Sequence, residues 1–459
     1  MNVKDAHSSS FRDPSGYIFV ENNEIKRLIT PIYFEQYEAL NSSGFFGNLI
    51  KNNLLVTHQE LSKTDEQIVI KPEKIPFFTY PYEWSFNMYK EAALLTLKIQ
   101  KYSIEHGFSL KDASAFNITF HKGKAIFIDT LSFDFYKENT PWRAYKQFIT
   151  HFLGPLVLAH FHGAQQLKLM SNFIDGIPVK MMSSLLPFKT KLSPILYSNV
   201  HLLAKLEDKH NEDYNGEAKE ASLSKKGQLN IIKSLYDYIK KLELKEHSEW
   251  GNYYDKINYT DKAFIEKSNI INQWVIDLNA KTLIDIGGND GTFVRKLKSE
   301  KELTLVCDID NNAVDYNHRT MKQNKEDHML PFVLDVLNPS PAIGLNNKER
   351  DSFIDRVKSL NLDVTLALAV IHHMSLSGNV PFSESAKFFS SFSKHLIIEF
   401  PKREDSWVQR ILKSKGEFED YFNFYNLETF EANYIQYFDI LQKKPIENSE
   451  RVMYLLKRK

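Results

Sequence analysis

The sequence predicts an α/β fold in its C-terminal half, an open Rossmann-like sheet of seven strands closed by an antiparallel hairpin, joined to a separate α+β domain in its N-terminal half. Three observations carry this reading. From Lys281 onward, short apolar runs of strand length alternate with stretches of helical spacing, the mark of strand–helix–strand units in a parallel sheet. At the head of that series a strand runs into a glycine-rich turn, Asp285-Ile286-Gly287-Gly288-Asn289-Asp290-Gly291. Residues 206–226 are almost wholly polar and charged, the composition of a solvated connection. A chain of 459 residues exceeds what one ordinary core serves. The expected divisions are 1–205 for the N-terminal domain, 206–245 for a charged linker and helix, and 246–459 for the sheet domain.

In the N-terminal domain, residues 17–29 alternate apolar and polar around Glu21-Asn22-Asn23-Glu24, which predicts a β-hairpin entered through the turn Asp13-Pro14-Ser15-Gly16. Met88, Ala92, Leu95, Ile99 and Ile104 recur at helical spacing and Gly107 stands at the stop, so residues 86–106 read as a helix. The apolar run Phe152 to Ala159 is a core segment, too short to cross a bilayer. After residue 206, Leu229 to Leu244 again has helical periodicity.

The sheet domain opens with the strand Thr282-Leu283-Ile284, the glycine turn, and a helix through Phe293, Val294 and Leu297. Glycines let backbone approach a ligand, and amides at a helix start can receive a carboxylate. The second strand, Leu303 to Cys307, ends at Asp308, about 20 residues beyond the turn, where a carboxylate can hold both hydroxyls of a ribose. The third, Pro331 to Leu334, ends at Asp335, placed to accept from an adenine amino group. The fourth, Asp363 to Ala369, ends at Val370-Ile371-His372-His373; the fifth, Leu396 to Ile398, ends at Glu399; Tyr437 to Leu441 and Arg451 to Leu456 form the closing hairpin. Ligands of such sheets bind beyond the carboxyl ends of the strands, where all these polar residues fall. A dinucleotide would bring its pyrophosphate against Asp285 and Asp290, so a cationic nucleoside is the better occupant. The plain alternative for Asp285, Asp308 and Asp335 is turn or helix-cap duty.

A D-x-G-x-G-x-G turn, an acid after strand two, another after strand three and a terminal hairpin resemble the class I S-adenosylmethionine-dependent methyltransferases over residues 246–459. Asn289 stands where the middle glycine is usual, and asparagine tolerates a left-handed backbone better than most residues. The resemblance implies S-adenosyl-L-methionine as cofactor, bound by Asp285, Gly287, Gly288, Asn289, Gly291, Asp308, Asp335 and Ala369. More narrowly, both halves resemble the family of the rhizobial nodulation protein NoeA and its bacterial homologues. The phrases that carry this include Tyr80-Pro81-Tyr82-Glu83-Trp84-Ser85-Phe86, Phe127-Ile128-Asp129-Thr130-Leu131-Ser132-Phe133, Asn338-Pro339-Ser340-Pro341-Ala342-Ile343-Gly344 and Leu366-Ala367-Leu368-Ala369-Val370-Ile371-His372-His373-Met374.

Methyl transfer draws much of its acceleration from orientation and needs no triad, but a hydroxyl acceptor gains from a base. His372, His373 and Glu399 are the catalytic candidates by their place at strand ends, each weighed against a structural hydrogen bond. Neighbouring residues point different ways, so at most one histidine should face the acceptor. Tyr253, Tyr254 and Tyr259 either cover the cofactor or pack as plain core.

In the N-terminal half, Asp112 with Asn117, a hairpin through His121-Lys122-Gly123-Lys124, and Asp129 after the next strand are similar to the catalytic loop and metal-binding aspartate of protein-kinase-like phosphotransferases. That likeness implies Asp112 as base, Asn117 and Asp129 as magnesium ligands, and ATP. Leu110 stands where histidine is usual, Thr130-Leu131 replaces Phe-Gly, and no glycine-rich phosphate loop is visible. The alternative is a hairpin with turn aspartates.

Lys plus Arg equals Asp plus Glu, 58 against 58, so no global positive field gathers nucleic acid or an anionic membrane. The single cysteine, Cys307, excludes an intrachain disulfide and a thiolate metal cluster, and the N-terminus lacks the apolar core of a signal peptide; cytoplasm is expected. The leading expectation is a methyltransferase of a small-molecule or glycan-like acceptor. The alternatives are a bifunctional phosphotransferase and methyltransferase, and a cofactor-binding module without turnover.

Overall fold

A computed structural model describes residues 6–212, 222–245 and 261–459. The chain divides into two compact units, Met1–Glu246 with Ala342–Arg350, and His247–Pro341 with Asp351–Lys459.

In the first unit, strands β1 (Gly16–Glu21) and β2 (Glu24–Ile29) pair antiparallel, and the turn between them holds Asn22 and Asn23 at φ 50° and 63°. Two left-handed residues in succession match the twist of a tight hairpin, and asparagine accepts them at low cost. Helices α1 (Phe34–Ser42) and α2 (Phe45–Lys51) lead to β3 (His58–Lys63) and β4 (Ile68–Pro72), giving a sheet of order β1-β2-β4-β3. Helix α3 (Phe86–Glu105) starts where the Ser85 side chain accepts from the Met88 amide, and buries Met88, Ala92, Leu95, Ile99 and Ile104. Beyond it lie two strand pairs, β5 (Phe108–Leu110) with β8 (Phe133–Phe135), and β6 (Ile118–His121) with β7 (Lys124–Phe127). Helix α4 (Gly154–His162) carries the apolar run noted in the sequence, fully buried from Gly154 to Ala159.

Within 206–245, expected as a charged linker and helix, the described residues continue the helix Leu202–Glu212 and form α5 (Lys225–Lys241), which packs on α3 through Ile232, Leu235 and Ile239 within the first unit. One buried stripe suffices to dock α5. Residues 213–221 lie outside the described residues, as do Tyr253, Tyr254 and Tyr259.

The second unit begins, among described residues, with α6 (Asp261–Asp277). Its seven strands are β9 (Thr282–Ile286), β10 (Leu303–Asp308), β11 (Met329–Val333), β12 (Leu362–Ala367), β13 (Ser393–Pro401), β14 (Phe438–Pro445) and β15 (Arg451–Arg458). The sheet order is β11-β10-β9-β12-β13-β15-β14. The first five strands run parallel, while β15 lies antiparallel between β13 and β14. This is a Rossmann-like sheet whose order reverses between β9 and β12, and the crevice at such a reversal is where ligands of open α/β sheets bind. Trp274 of α6, Leu283, Val306, Met329, Leu366, Ile397 and Leu455 share one buried cluster, so β9 to β13 and β15 are each pinned by apolar residues from their interior. No described helix is long and apolar enough to cross a membrane.

Candidate functional site

A cavity of about 280 Å³ opens where the sheet order reverses, at the carboxyl ends of β9, β10, β11 and β12. Its wall includes Asp285, Gly287, Gly288, Asn289, Asp308, Asp335, Ala369 and His373, which the sequence scattered over 89 positions' worth of separate strand ends, from 285 to 373. The walls between these polar groups are largely apolar, with Phe264, Phe293, Leu334, Leu337, Leu368, Val370 and Met374.

Asp285 sits inside β9, one residue before its end, with both carboxyl oxygens buried and without a hydrogen-bond partner. Burial raises its pKa to about 7 against the opposing pull of Lys267. An unpartnered buried carboxylate is costly, and a cation brought into the cavity would relieve it. Gly288 makes this seat possible, because a Cβ there would stand 2.8 Å from the Asp285 carboxyl and 2.7 Å from Val306. The turn that follows holds Gly287 at φ 72° and Asn289 at φ 49°. Asparagine in the left-handed region keeps the turn where the middle glycine is absent.

Asp308, the last residue of β10, accepts from the Asn289 amide and from the Asp310 amide, both at 2.9 Å. Burial raises its pKa to about 6 while these amides pull the other way. The two amides fix the carboxylate plane and leave it lone pairs for further donors. Asp335 follows β11, half-buried, and accepts from the Leu337 amide at 3.0 Å. Backbone strain follows β12, where Ala369, two residues past the strand's end, holds φ 56° on the cavity wall; non-glycine residues in that region cost about 1–2 kcal/mol and gather at functional sites.

The expected helix after the turn is only Thr292–Arg295, labelled α7, and its capping position, Gly291, is at φ 78° outside the cavity wall. Its start does not offer a carboxylate receptor. The amides of Gly287 and Gly288 both donate to the Cys307 carbonyl, at 2.8 and 3.0 Å, that of Gly291 to the Gly288 carbonyl, and that of Thr292 to Asp290.

The two histidines separate. His373 lines the cavity, whereas His372 is 2% exposed with Nδ1 unpartnered, and the two rings lie 4.1 Å apart between centroids. Burial holds both below the ordinary imidazole pKa, His372 further, with the neighbouring His373 adding to burial there and Arg451 to burial at His373. Both are therefore neutral near pH 7. Glu399 is not at a strand end. β13 runs on to Pro401, and Glu399 lies within it, fully buried, 2.8 Å from Lys267 Nζ and 3.6 Å from Arg451, which in turn donates to Asp405 at 2.8 Å. It is the anion of a buried ion network behind the cavity wall, occupied by cations rather than open to an acceptor. Sequence reading passed over Lys267, which lies on α6, 1% exposed, lines the cavity and stands 4.4 Å from the Phe293 ring centre. The only available signal was a lysine at an otherwise apolar helix position.

In the first unit, Asp112, Asn117 and Asp129 do come together. The Asn117 amide donates to Ser132 Oγ at 3.2 Å, Ser132 Oγ donates to Asp129, and Asp112 takes hydrogen bonds from Asn117 and Gln147. Asp129, however, pairs with Arg27 of β2, and although burial opposes its ionisation, Arg27 and Ser132 hold it below the ordinary carboxyl pKa. Asp112 is raised, by burial first and by Asp129 second. Among the described residues no group of three or more His, Cys, Asp or Glu side chains forms a metal site. The side chains expected to ligate magnesium are engaged with Arg27 and Ser132.

Among known proteins, the nodulation protein NoeA of Rhizobium meliloti (strain 1021) is 30% identical over 464 residues, covering 98% of this chain and 96% of that protein. No family model matches the chain. Among solved structures, an rRNA methylase from Escherichia coli is 15% identical, covers 51% of this chain and 72% of its own, and gives a TM-score of 0.29. The N-methyltransferase NodS from Bradyrhizobium japonicum WM9 is 12% identical, with 43% and 97% covered and a TM-score of 0.30. The strand order itself, rather than these distant likenesses, defines the fold class of the second unit.

Proposed function

The chain belongs to the family of the nodulation protein NoeA and is a class I S-adenosylmethionine-dependent methyltransferase; on that premise we propose that it methylates a small-molecule or glycan-like acceptor, with His373 as the base. The observation that carries the donor site is the unpartnered Asp285 carboxylate in a cavity shared with Asp308 and Asp335, a receptor that suits a cationic nucleoside. S-adenosylmethionine, when bound, supplies an electrophilic methyl group. The chain's own residues do the rest. Asp308, held by two amides, takes the ribose hydroxyls; Asp335 takes the adenine amino group; and the apolar wall keeps water from the reacting end. His373, kept neutral by burial, can accept a proton from an acceptor hydroxyl. A charge balance of 58 against 58 favours an uncharged or small acceptor over a polyanion.

The test is incubation of the purified protein with labelled methyl donor and an extract of its source cell, followed by fractionation of the label. A labelled small or sugar-bearing product supports the reading, and label confined to nucleic acid or protein defeats it. In the same assay Asp308→Ala should weaken donor binding at least tenfold. His373→Gln should leave binding intact and slow transfer by about 10²–10⁴-fold, the usual worth of a general base. His372→Ala should weaken binding less than Asp308→Ala; equal losses would mean the cavity is mapped wrongly.

A second reading, phosphotransfer in the first unit, has the adjacency of Asp112, Asn117 and Asp129 in its favour and the Arg27 pairing of Asp129 against it. Binding of ATP with magnesium, lost in Asp112→Ala, would support it; no binding at millimolar ATP would remove it.

A further inference from the structure

The charge balance of the whole chain conceals a local imbalance in the first unit. Residues 176–206 carry Lys180, Lys189, Lys191 and Lys205 and no aspartate or glutamate. The same stretch exposes Leu185, Phe188, Leu192, Tyr197, Leu202 and Leu206, with Phe188 at 74% and Leu192 at 76%. Apolar side chains scattered singly over a surface are ordinary, whereas a contiguous patch marks a docking surface. Contiguity here is set by His201, a buried residue whose ring is hydrogen-bonded to Ser183 Oγ at 2.8 Å and to Thr190 Oγ1 at 2.9 Å. One imidazole thus ties the helix Val179–Leu185 and the short turn Phe188–Leu192 to the helix that runs on from Tyr197–His201 into Leu202–Glu212. Burial first, then Lys191 and Lys205, hold that imidazole below its ordinary pKa, so both ammonium groups stand close to the joint. Lys191 lies over the Phe188 ring at 5.3 Å and Lys205 over the Tyr197 ring at 5.6 Å, so cation and apolar surface alternate across the face.

Whatever covers this face must bring negative charge and apolar matter together. A second copy docked on the same face would set lysine against lysine, because a twofold interface is built from one patch twice. A bilayer surface meets both demands: its anionic headgroups suit the lysines, and the acyl chains just beneath them suit Phe188 and Leu192. We propose that the face formed by Leu185, Phe188, Leu192, Leu202 and Leu206, with Lys189, Lys191 and Lys205 among them, docks the protein on a membrane surface that bears anionic phospholipid headgroups. The contact is peripheral, made by side chains of short helices that lie on the surface. It stands apart from the methyl-donor site, which belongs to the second unit.

Co-sedimentation of the full chain with vesicles tests this, using phosphatidylcholine alone or phosphatidylcholine with about 30 mol% phosphatidylglycerol. A lysine near an anionic surface is worth roughly fivefold in partition, so the wild-type protein should favour the anionic vesicles by at least about tenfold, and the preference should fade at about 0.5 M salt. Lys189→Gln, Lys191→Gln and Lys205→Gln together should bring partition down to the level of the neutral vesicles. Phe188→Ser with Leu192→Ser should weaken binding to the anionic vesicles at least about tenfold, because binding scales with the apolar area buried as well as with charge. These positions are all exposed, so the circular dichroism spectrum and melting temperature of each variant should match the wild type. Binding of the methyl donor, measured by calorimetry, should be unchanged in every variant. Equal partition onto the two kinds of vesicle, no sedimentation with either, or wild-type partition by the Phe188 and Leu192 variant would overturn the proposal. So would a dimer at micromolar concentration in analytical ultracentrifugation that Phe188→Ser dissolves, because a second copy would then be what covers the face.

Discussion

At the scale of single residues, the site is governed by carboxylates that are harder to ionise than usual. Asp285 is raised to about 7 and Asp308 to about 6, in each case by burial. Between the ordinary carboxyl value and these, the folded protein without ligand keeps protons that the unfolded chain has already released. Its stability from these groups is therefore complete below about pH 4 and is lost as pH rises toward 7. A cationic ligand needs the Asp285 carboxylate ionised, so binding should expel a proton at pH 6 and affinity should climb up to about pH 7.5, then level. Calorimetry in two buffers of different ionisation enthalpy measures this directly. Asp285→Asn should flatten the pH dependence below pH 7, and an affinity that does not change from pH 6 to 8 in the wild-type protein would contradict the assignment. Asp285, Asp308 and Asp335 were legible in the sequence because each stands at or close to the end of a strand, where a polar residue breaks an apolar run. Lys267 was not, because a helix hides a single inward cation among its outward ones, and only the fold decides which way it faces.

At the scale of elements, β13 is where sequence and structure part. The run Leu396-Ile397-Ile398 seemed to stop at Glu399 because a carboxylate rarely lies inside a buried strand. The strand continues to Pro401 since α6 and β15 bring Lys267 and Arg451 against that carboxylate. The pairing of three elements through one side chain could not be read from local pattern. It yields a sharp expectation. Glu399→Ala leaves two buried cations short of their anion and should cost about 3–5 kcal/mol of stability, read by chemical denaturation. Glu399→Gln keeps the shape and should cost less. Were Glu399 an acceptor-facing base instead, both variants would lose methyl transfer with stability intact. Docking of a mostly polar helix asks for less: α5 needs only Ile232, Leu235 and Ile239 to pack on α3. The succession of parallel strands along the second unit, by contrast, was legible, because parallel strands buried on both faces are continuous apolar runs.

At the scale of the whole molecule, the similarity to NoeA spans 98% of the chain, so the first unit is as much a part of the family as the methyltransferase. Over the entire chain, 58 positive side chains balance 58 negative ones. A protein that held a nucleic acid through six to ten phosphates would lose about 10³–10⁵ in affinity between 50 and 200 mM salt. A small or sugar-bearing acceptor has few charges to screen, and its binding should respond weakly over the same range. The apparent KM for the acceptor, once the labelled product identifies it, should therefore shift by less than about threefold between 50 and 300 mM salt, with donor affinity changing little because Asp285 is buried from the ions. A steep loss confined to the acceptor would mean a polyanion docks on a local basic surface that overall charge conceals, and the small-acceptor reading would give way. A loss shared by the donor would instead point to a cavity open to salt, at odds with the burial on which the carboxylate pKa values depend.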